Sequence, residues 1–401
     1  MTLPVTVTLG EVATFIRGIT FKPEDVVPVG TENSVACLRT KNIQASLSLS
    51  DVWAVDERLV RRGDKILQSG DILISSANSW NLVGKCCWIS ELPWKASFGG
   101  FVTVLRANPE KIFPRFLYWW FSSDRIQALA RSFGNKTTSI SNLNIERCLS
   151  LSFSLPDLQQ QKRIAQALDQ ADSLRLMRRA AISELENLTQ AIFNEMFGDP
   201  FDNPHQLPVS PLIDLVSPLR PISYGILMPG PDQDEGVSYV RVVDMKDGGI
   251  DIKSVRKTTV EISTAFKRSL LKEGDILMSI RGHVGRLASV PPELEGANIT
   301  QDTARLAVDE SKVLPVFARE CLRTAGVQRW MAKHIKGVAV RGINLADVKR
   351  IPVILPSIER QEEFVLKVRS IESLVSIYRI QLDQLEKLFS VLQHRAFRGE
   401  L

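Results

Sequence analysis

The sequence predicts a duplicated α/β (α+β) chain, with two mixed domains separated by a long antiparallel two-helix coiled coil. Three observations carry this. Segments recur at an offset of about 200 residues. Each copy closes on Leu-Pro followed by about 40 residues of helical periodicity. Short β-rich runs bounded by Gly turns precede each helix. The boundaries that follow are a first mixed domain over 1–156, a spacer helix over 157–198, a second mixed domain over 199–356 and a second spacer helix over 357–401.

The repeat is legible residue by residue. Gly70-Asp71-Ile72-Leu73-Ile74-Ser75 returns as Gly274-Asp275-Ile276-Leu277-Met278-Ser279. Each copy is followed by a Gly beside a cation, Gly84-Lys85 and Gly285-Arg286. Ser139-Ile140-Ser141-Asn142-Leu143 is matched to Arg341-Gly342-Ile343-Asn344-Leu345, and Leu155-Pro156-Asp157 to Leu355-Pro356-Ser357. The period is too long for a solenoid and reads as one doubled unit. Within each unit, runs such as Phe101–Leu105 and Val237–Val243 predict strands, with helices near Pro114–Ser132 and Pro315–Ile335. Gly-Asp at 70–71 and 274–275 predicts a turn before a buried strand. Trp53, Trp119 and Trp120 read as core.

In the second long helix, Phe364, Val368, Ile371, Val375, Tyr378, Leu382, Leu385, Phe389 and Leu392 alternate steps of four and three, a coiled-coil seam. In the first, Ile164, Leu168 and Ala171 begin a seam and Ile182, Leu185 and Ile192 finish it. Between them stand Arg175 and Arg178. Leu174, Met177 and Ala181 form a neighbouring stripe, which predicts an apolar face drifting round the helix midway. Asp157 and Ser357 are N-cap types, and Gly198 and Gly399 are stop signals. Each helix would be roughly 60 Å long. Helices this long and one-sided need each other or a partner. Antiparallel pairing would place the mixed domains at opposite ends of a rod.

Composition narrows the function. Hydrophobic residues at 44% and charged residues at 24% exclude a disordered or fibrous chain. No apolar run reaches the roughly 18 residues that span a bilayer, and the first residues show no secretory pattern. Five cysteines without C-x-x-C argue against a disulfide scaffold or zinc ribbon and for a reducing, cytoplasmic setting. The net charge of +5 is unevenly placed: +4 over 1–156 and +2 over 199–356, against −1 and 0 in the helical blocks. That excess suits nucleic acid only if it gathers on one face.

Catalytic signatures are missing. Gly134-Asn135-Lys136-Thr137-Thr138 lacks the first Gly of a P-loop. There is no H-E-x-x-H and no G-x-S-x-G. Asn203-Pro204-His205-Gln206 shares only its opening with the Asn-Pro-Pro-aromatic of amino-methyltransferases. Asp232, Asp244 and Lys246 can be forced into a PD-(D/E)xK metal-nuclease pattern, with Asp247 and Asp251 more simply turn residues. Two similar domains on a spacer suit the reading of a repetitive partner such as duplex DNA.

The layout resembles the specificity (S) subunit of type I restriction–modification systems. The matching residues are Leu9-Gly10-Glu11-Val12 with Arg17-Gly18; the two Gly-Asp-Ile segments; Ser279-Ile280-Arg281-Gly282-His283-Val284-Gly285; the Gln-rich helix starts Gln159–Ile164 and Arg360-Gln361-Glu362; Met196-Phe197-Gly198-Asp199; and Ala396–Leu401. The resemblance spans the whole chain. It implies two target-recognition domains, each reading half of a bipartite site in double-stranded DNA, and helices that fix the gap. It also implies docking of modification (methyltransferase) subunits, two of them, and the joining of restriction/translocase subunits. S-adenosylmethionine, ATP and Mg²⁺ would belong to those partners. This chain would then bind no metal or cofactor, contact no membrane and catalyse nothing itself.

Base reading needs Arg, Lys, Asn or Gln at groove edges. The candidates in polar loops are Arg39, Lys41, Asn42, Asn78, Asn135 and Lys136 in the first domain. In the second they are Arg241, Lys246, Arg281, His283, Arg286, Lys336 and Arg341. Two other readings stay open: a metal-dependent nuclease built on Asp232, Asp244 and Lys246, and a coiled-coil scaffold that binds only protein.

Overall fold

The computed structural model describes residues 5–136, 140–246, 248–337 and 341–400. Thr137–Ser139, Asp247 and Leu401 lie outside the described residues, as do the side chains of Asn135 and Lys136. The chain divides into two compact units, residues 1–178 with 381–401, and residues 179–380. Each unit therefore includes part of both long helices, and the division falls inside the helices rather than at their starts.

In the first unit, an antiparallel sheet runs in the order Ala13–Arg17, Val102–Ala107, Ile72–Ser75, Cys86–Trp88. Alternate residues of a strand face opposite sides. Ile72 and Ile74 pack with Phe116, Trp120 and Phe121, while Leu73 packs with Leu38, Phe98 and Val104. Both faces are covered, which is why the segment after Gly-Asp reads as an unbroken apolar run. A second sheet joins Val26–Val27, Trp53–Asp56, Ser34–Leu38 and Ala96–Phe98, the last pair parallel.

The second unit repeats the plan. Its first sheet runs Ser223–Tyr224, Thr303–Leu306, Ile276–Ser279, Leu287–Ser289. Its second joins Arg256–Thr258, Val237–Val240 and Asn298–Ile299, the last again parallel. Gly70 and Gly274 take left-handed φ values of 100° and 81°. Asp71 and Asp275 behind them are buried and paired bidentately, Asp71 to Arg106 and Asp275 to Arg220.

Two expectations are corrected here. Each predicted domain helix is a pair: Pro114–Phe121 with Asp124–Ser132, and Pro315–Arg323 with Ala325–Lys333. At the breaks, the Ser123 and Thr324 hydroxyls donate to the carbonyls of Trp120 and Cys321, turning the chain. The repeat is also shifted near its end. Asn144 and Asn344 each cap a short helix, accepting from the N–H of Arg147 and Asp347. The N–H groups of Leu143 and Ile343 donate to Ser76 and Ile280. Asn144, not Asn142, is therefore the counterpart of Asn344.

The long helices span Leu158–Phe197 and Ile358–Ala396. Asp157 caps the first through the N–H of Gln160. In the second unit they run antiparallel: Arg379 meets Glu186 at 2.8 Å, and Arg360 donates to the Met196 carbonyl at 2.7 Å. Phe193 and Phe197 pack with Phe364 and Val368. In the first unit, Ile164, Leu168 and Ala171 share a core with Phe389 and Ala396. Ile371 and Val375 are buried, and Tyr378, Leu382, Leu385, Leu392, Ile182, Leu185 and Ile192 are half-buried.

The expected drift of the apolar face does not occur. Leu174 and Met177 are 52% and 64% exposed. Arg175 stays in the seam, paired with Asp172 and with Glu386 at 3.0 Å, its guanidinium 3.7 Å over the Phe389 ring. An Arg stem and a flat guanidinium on an aromatic face fill the place of an apolar residue. Arg178 is half-buried on the same side.

The base of each long helix is held by a buried glutamine. Gln161 accepts from the N–H of Phe113 at 2.7 Å and donates to Pro156. Gln361 accepts from Leu314 at 2.9 Å and donates to Pro356. Gln161→Leu or Gln361→Leu is expected to cost about 1–3 kcal/mol by orphaning a backbone N–H. Urea denaturation followed by circular dichroism measures this, and an unchanged midpoint would show the bonds to be idle.

Candidate functional site

One glycine in each unit fixes the backbone frame on which the site is built. A Cβ on Gly18 would lie 2.2 Å from the Gly99 carbonyl oxygen, and one on Gly225 would lie 1.8 Å from that of Ile299. This close approach lets Ile19 donate to Phe98 and Ile226 to Ile299, both at 2.8 Å. The turn that follows is pinned to the loop after the Gly-Asp strand. The Phe101 carbonyl accepts from the N–H groups of Ser76 and Ala77. In the second unit the Asp302 carbonyl accepts from Ile280 and Arg281.

Beside this turn, each unit forms a polar edge. In the first, Ala77–Asn78, Ser141–Asn142 and Asn135–Lys136 make a three-stranded ladder. In the second, Gly342 bridges both Arg281 and Lys336, and the Gly282 N–H donates to the Arg341 carbonyl. The fold thus draws together Asn78 with the backbone of Asn135 and Lys136, and, in the other unit, Arg281, His283, Lys336 and Arg341. Arg281, His283, Lys336 and Arg341 are exposed, and Asn78 is half-buried with its amide on the Ser75 hydroxyl. Lys336 reaches Asp347 at 3.4 Å.

Four candidates are committed elsewhere. Asn42 is buried; it accepts from the Arg39 N–H and donates to the Ser48 and Asp51 carbonyls. Arg39 lies 3.4 Å over the Trp53 ring and bonds Asp51. Trp53 is thus a half-buried platform for a cation, while Trp119 and Trp120 are core. Arg241 grips buried Asp244 bidentately and donates to Ser254. Arg286 donates to the carbonyls of Met245 and Val242. These groups hold loops in shape, and Asn42 in particular is corrected to a structural residue. Lys41 and Lys246 are exposed and paired with Asp51 and Asp251. Each lysine holds its partner carboxyl below the usual range, by hydrogen bonding first and by charge second. Exposed pairs of this kind are weak, so both cations can be released to a phosphate.

The nuclease pattern comes apart on the same geometry. Arg241–Asp244 forms the same capped turn as Arg39–Asn42, with Asp244 accepting from the Arg241 N–H as Asn42 does from Arg39. An amide serves in one copy where the carboxylate serves in the other, so the carboxylate is there for the turn. Asp232 accepts instead from the Lys257 N–H. Among the described residues no group of three His, Cys, Asp or Glu is placed to hold a metal ion. None of the described helices is long and apolar enough to cross a membrane. Burial pushes the thiols of Cys37, Cys87 and Cys321 up to about 12 and that of Cys148 up to about 11. None of these four is a ready nucleophile.

The sequence candidates did not include Phe101, Gln301 and Asp302, which the fold places at this turn. The outward presentation of Phe101 depends on its pinned carbonyl, which no residue pattern announces.

Residues 4–187 match the type I restriction modification DNA specificity domain. The EcoBI specificity subunit of Escherichia coli is 34% identical over 194 residues, 47% of this chain and 41% of that protein. The EcoKI specificity subunit of Escherichia coli (strain K12) is 26% identical across 97% of this chain and 87% of its own. The StySPI specificity subunit of Salmonella potsdam is 24% identical across 99% and 89%. A type I restriction–modification S subunit from M. genitalium shares the mixed fold, with a TM-score of 0.56 at 15% identity over 98% of this chain and 96% of that one.

Two outcomes are expected of this geometry. Asp244→Asn keeps the turn, as Asn42 does, whereas Asp244→Ala lowers stability by about 1–3 kcal/mol; equal losses would refute the shared turn. At pH 8 the native chain leaves Cys37, Cys87, Cys148 and Cys321 unlabelled by iodoacetamide, and unfolding in urea exposes them; rapid native labelling at these positions would contradict the burial.

Proposed function

We propose that this relative of type I restriction–modification specificity subunits is itself a non-catalytic DNA specificity subunit. Each unit reads one half of a bipartite site in double-stranded DNA through its polar edge. The observation that carries this reading is the edge built twice. The same glycine approach, pinned turn and strand pairing recur in both units, while the side chains displayed on them differ. A conserved frame with divergent display suits two readers of two different sequences. Base edges give specificity, and flanking cations such as Lys41, Lys246 and Lys336 supply phosphate contacts.

The long helices then set the distance between half-sites and dock modification subunits, two per chain, with restriction/translocase subunits completing the assembly. The sequence similarity along nearly the whole length of the EcoKI subunit supports this reading. S-adenosylmethionine, ATP and Mg²⁺ act in those partners, and the complex works in the cytoplasm.

The test is co-expression with a modification subunit and mapping of methylated bases across the host genome. A two-part sequence with a fixed gap is expected, and methylation scattered without a common sequence would sink the reading. Inserting one helical turn, about four residues, in the middle of either long helix is expected to change the gap and leave both half-sites intact. Affinity for the site is expected to fall on the order of a thousandfold between 50 and 200 mM salt; a flat salt response would argue against phosphate contacts. The purified chain with Mg²⁺ alone is expected to leave DNA uncut.

A further inference from the structure

We infer that the pinned turn is the base-reading element of each unit, with Phe101 contacting a thymine methyl in one half-site and Arg281 reading a guanine in the other. This rests on the function proposed above and assigns the residues that determine specificity.

Because the Phe101 and Asp302 carbonyls take the same pair of N–H groups, these two residues occupy one backbone position. By the same bonds, Gly100 matches Gln301, and Ala77 matches Arg281. The fold makes no demand for an apolar side chain there, since the second unit places a carboxylate at that position. Yet Phe101 is 66% exposed. A lone exposed aromatic is ordinary on a protein surface. This one stands on a rigid frame, with its carbonyl bonded twice and Gly18 packed beneath. It also lines a cleft with Arg39, Lys41 and Trp53. Lys41 thus places a cation beside it, where phosphate contacts flank a base contact.

The second unit displays the opposite chemistry on that frame. Arg281 donates to the Gln301 Oε1 at 3.2 Å and lies 3.7 Å from Asp302. These neighbours orient a guanidinium that is still half exposed. A preoriented Arg is the usual partner of guanine O6 and N7, and a ring such as that of Phe contacts the thymine methyl, both in the major groove. Gln301 is a positioning residue, since it acts through Arg281.

The test uses the full chain assembled with its modification subunits, reading methylation rates on duplexes carrying the mapped site. Replacing one thymine of the first half-site by uracil removes only the methyl and is expected to slow methylation roughly fourfold; Phe101→Ala should abolish that difference. Replacing one guanine of the second half-site by 7-deazaguanine is expected to cost about 10- to 100-fold, and Arg281→Ala should abolish that too. Gln301→Ala should weaken the guanine preference, and Gln301→Glu, which keeps the accepting oxygen, should restore it. Normal discrimination at the untouched half-site reports that each variant complex is intact. If a defined bipartite site is methylated but Phe101→Ala and Arg281→Ala keep both sensitivities, this assignment is overturned and the proposed function stands. If the unaltered complex selects no sequence, both fall together.

Discussion

The buried glutamines at the ends of the long helices are the constraint on which each unit depends. Gln161 and Gln361 are nearly inaccessible to water, and each ties the first turn of a long helix to the residue before a proline-started domain helix. The other long helix supplies a second amide to the same domain helix. Gln393 donates to the Trp119 carbonyl, and Gln190 donates to that of Glu320. A satisfied buried amide is costly to break, because either half would be left unpaired away from water. Apolar contacts alone would let a helix slide or roll on its domain. Directional bonds fix where it sits, and so fix where the first residues of the seam point.

Duplication under this constraint kept positions and changed partners. The buried carboxylate after each Gly is neutralised in both units, but from non-equivalent positions in the chain. Arg106 lies on the central strand of the first sheet, whereas Arg220 lies in the segment before Ser223–Tyr224. Burying an unpaired carboxylate is far dearer than relocating an arginine, so the charge pair survives while its geometry drifts. The capped turn shows the same tolerance, with Asn42 in one copy and Asp244 in the other. Where the carboxylate appears, its flanking arginine side chain folds back onto it; where the amide appears, the arginine is released onto Trp53.

The doubled plan was legible because local motifs such as the Gly-Asp turns recur about 200 residues apart, and the spacing of the second seam because it is short-range. Strict steps of four and three from Phe364 to Leu392 leave little choice of buried face, and the Gly-Asp pairs mark equivalent turns. The first seam misled where a charged residue fills an apolar place: nothing in the spacing of Arg175 announces Glu386 and the Phe389 ring, which lie more than two hundred residues along the chain. The match of Asn142 to Asn344 failed for a related reason. Identity favoured it, but capping geometry decides, and a cap is recognised only when the helix it serves is known. The loop candidates Asn42, Arg39, Arg241 and Arg286 carried the residue types of base readers. Their burial and partners could be seen only in the folded chain.

The same physics separates what this chain can change from what it must keep. Backbone bonds among Ser76, Ala77 and Phe101, and among Ile280, Arg281 and Asp302, hold the two turns. Replacing an exposed side chain on such a frame costs little stability, usually within about 0.5 kcal/mol. Replacing Gly18 or Gly225 would drive a methyl into a carbonyl oxygen. A frame secured by backbone and glycine can therefore display an aromatic ring in one copy and a guanidinium in the other without refolding. A surface whose chemistry changes while its scaffold does not is the form expected of a reader of varied sequences.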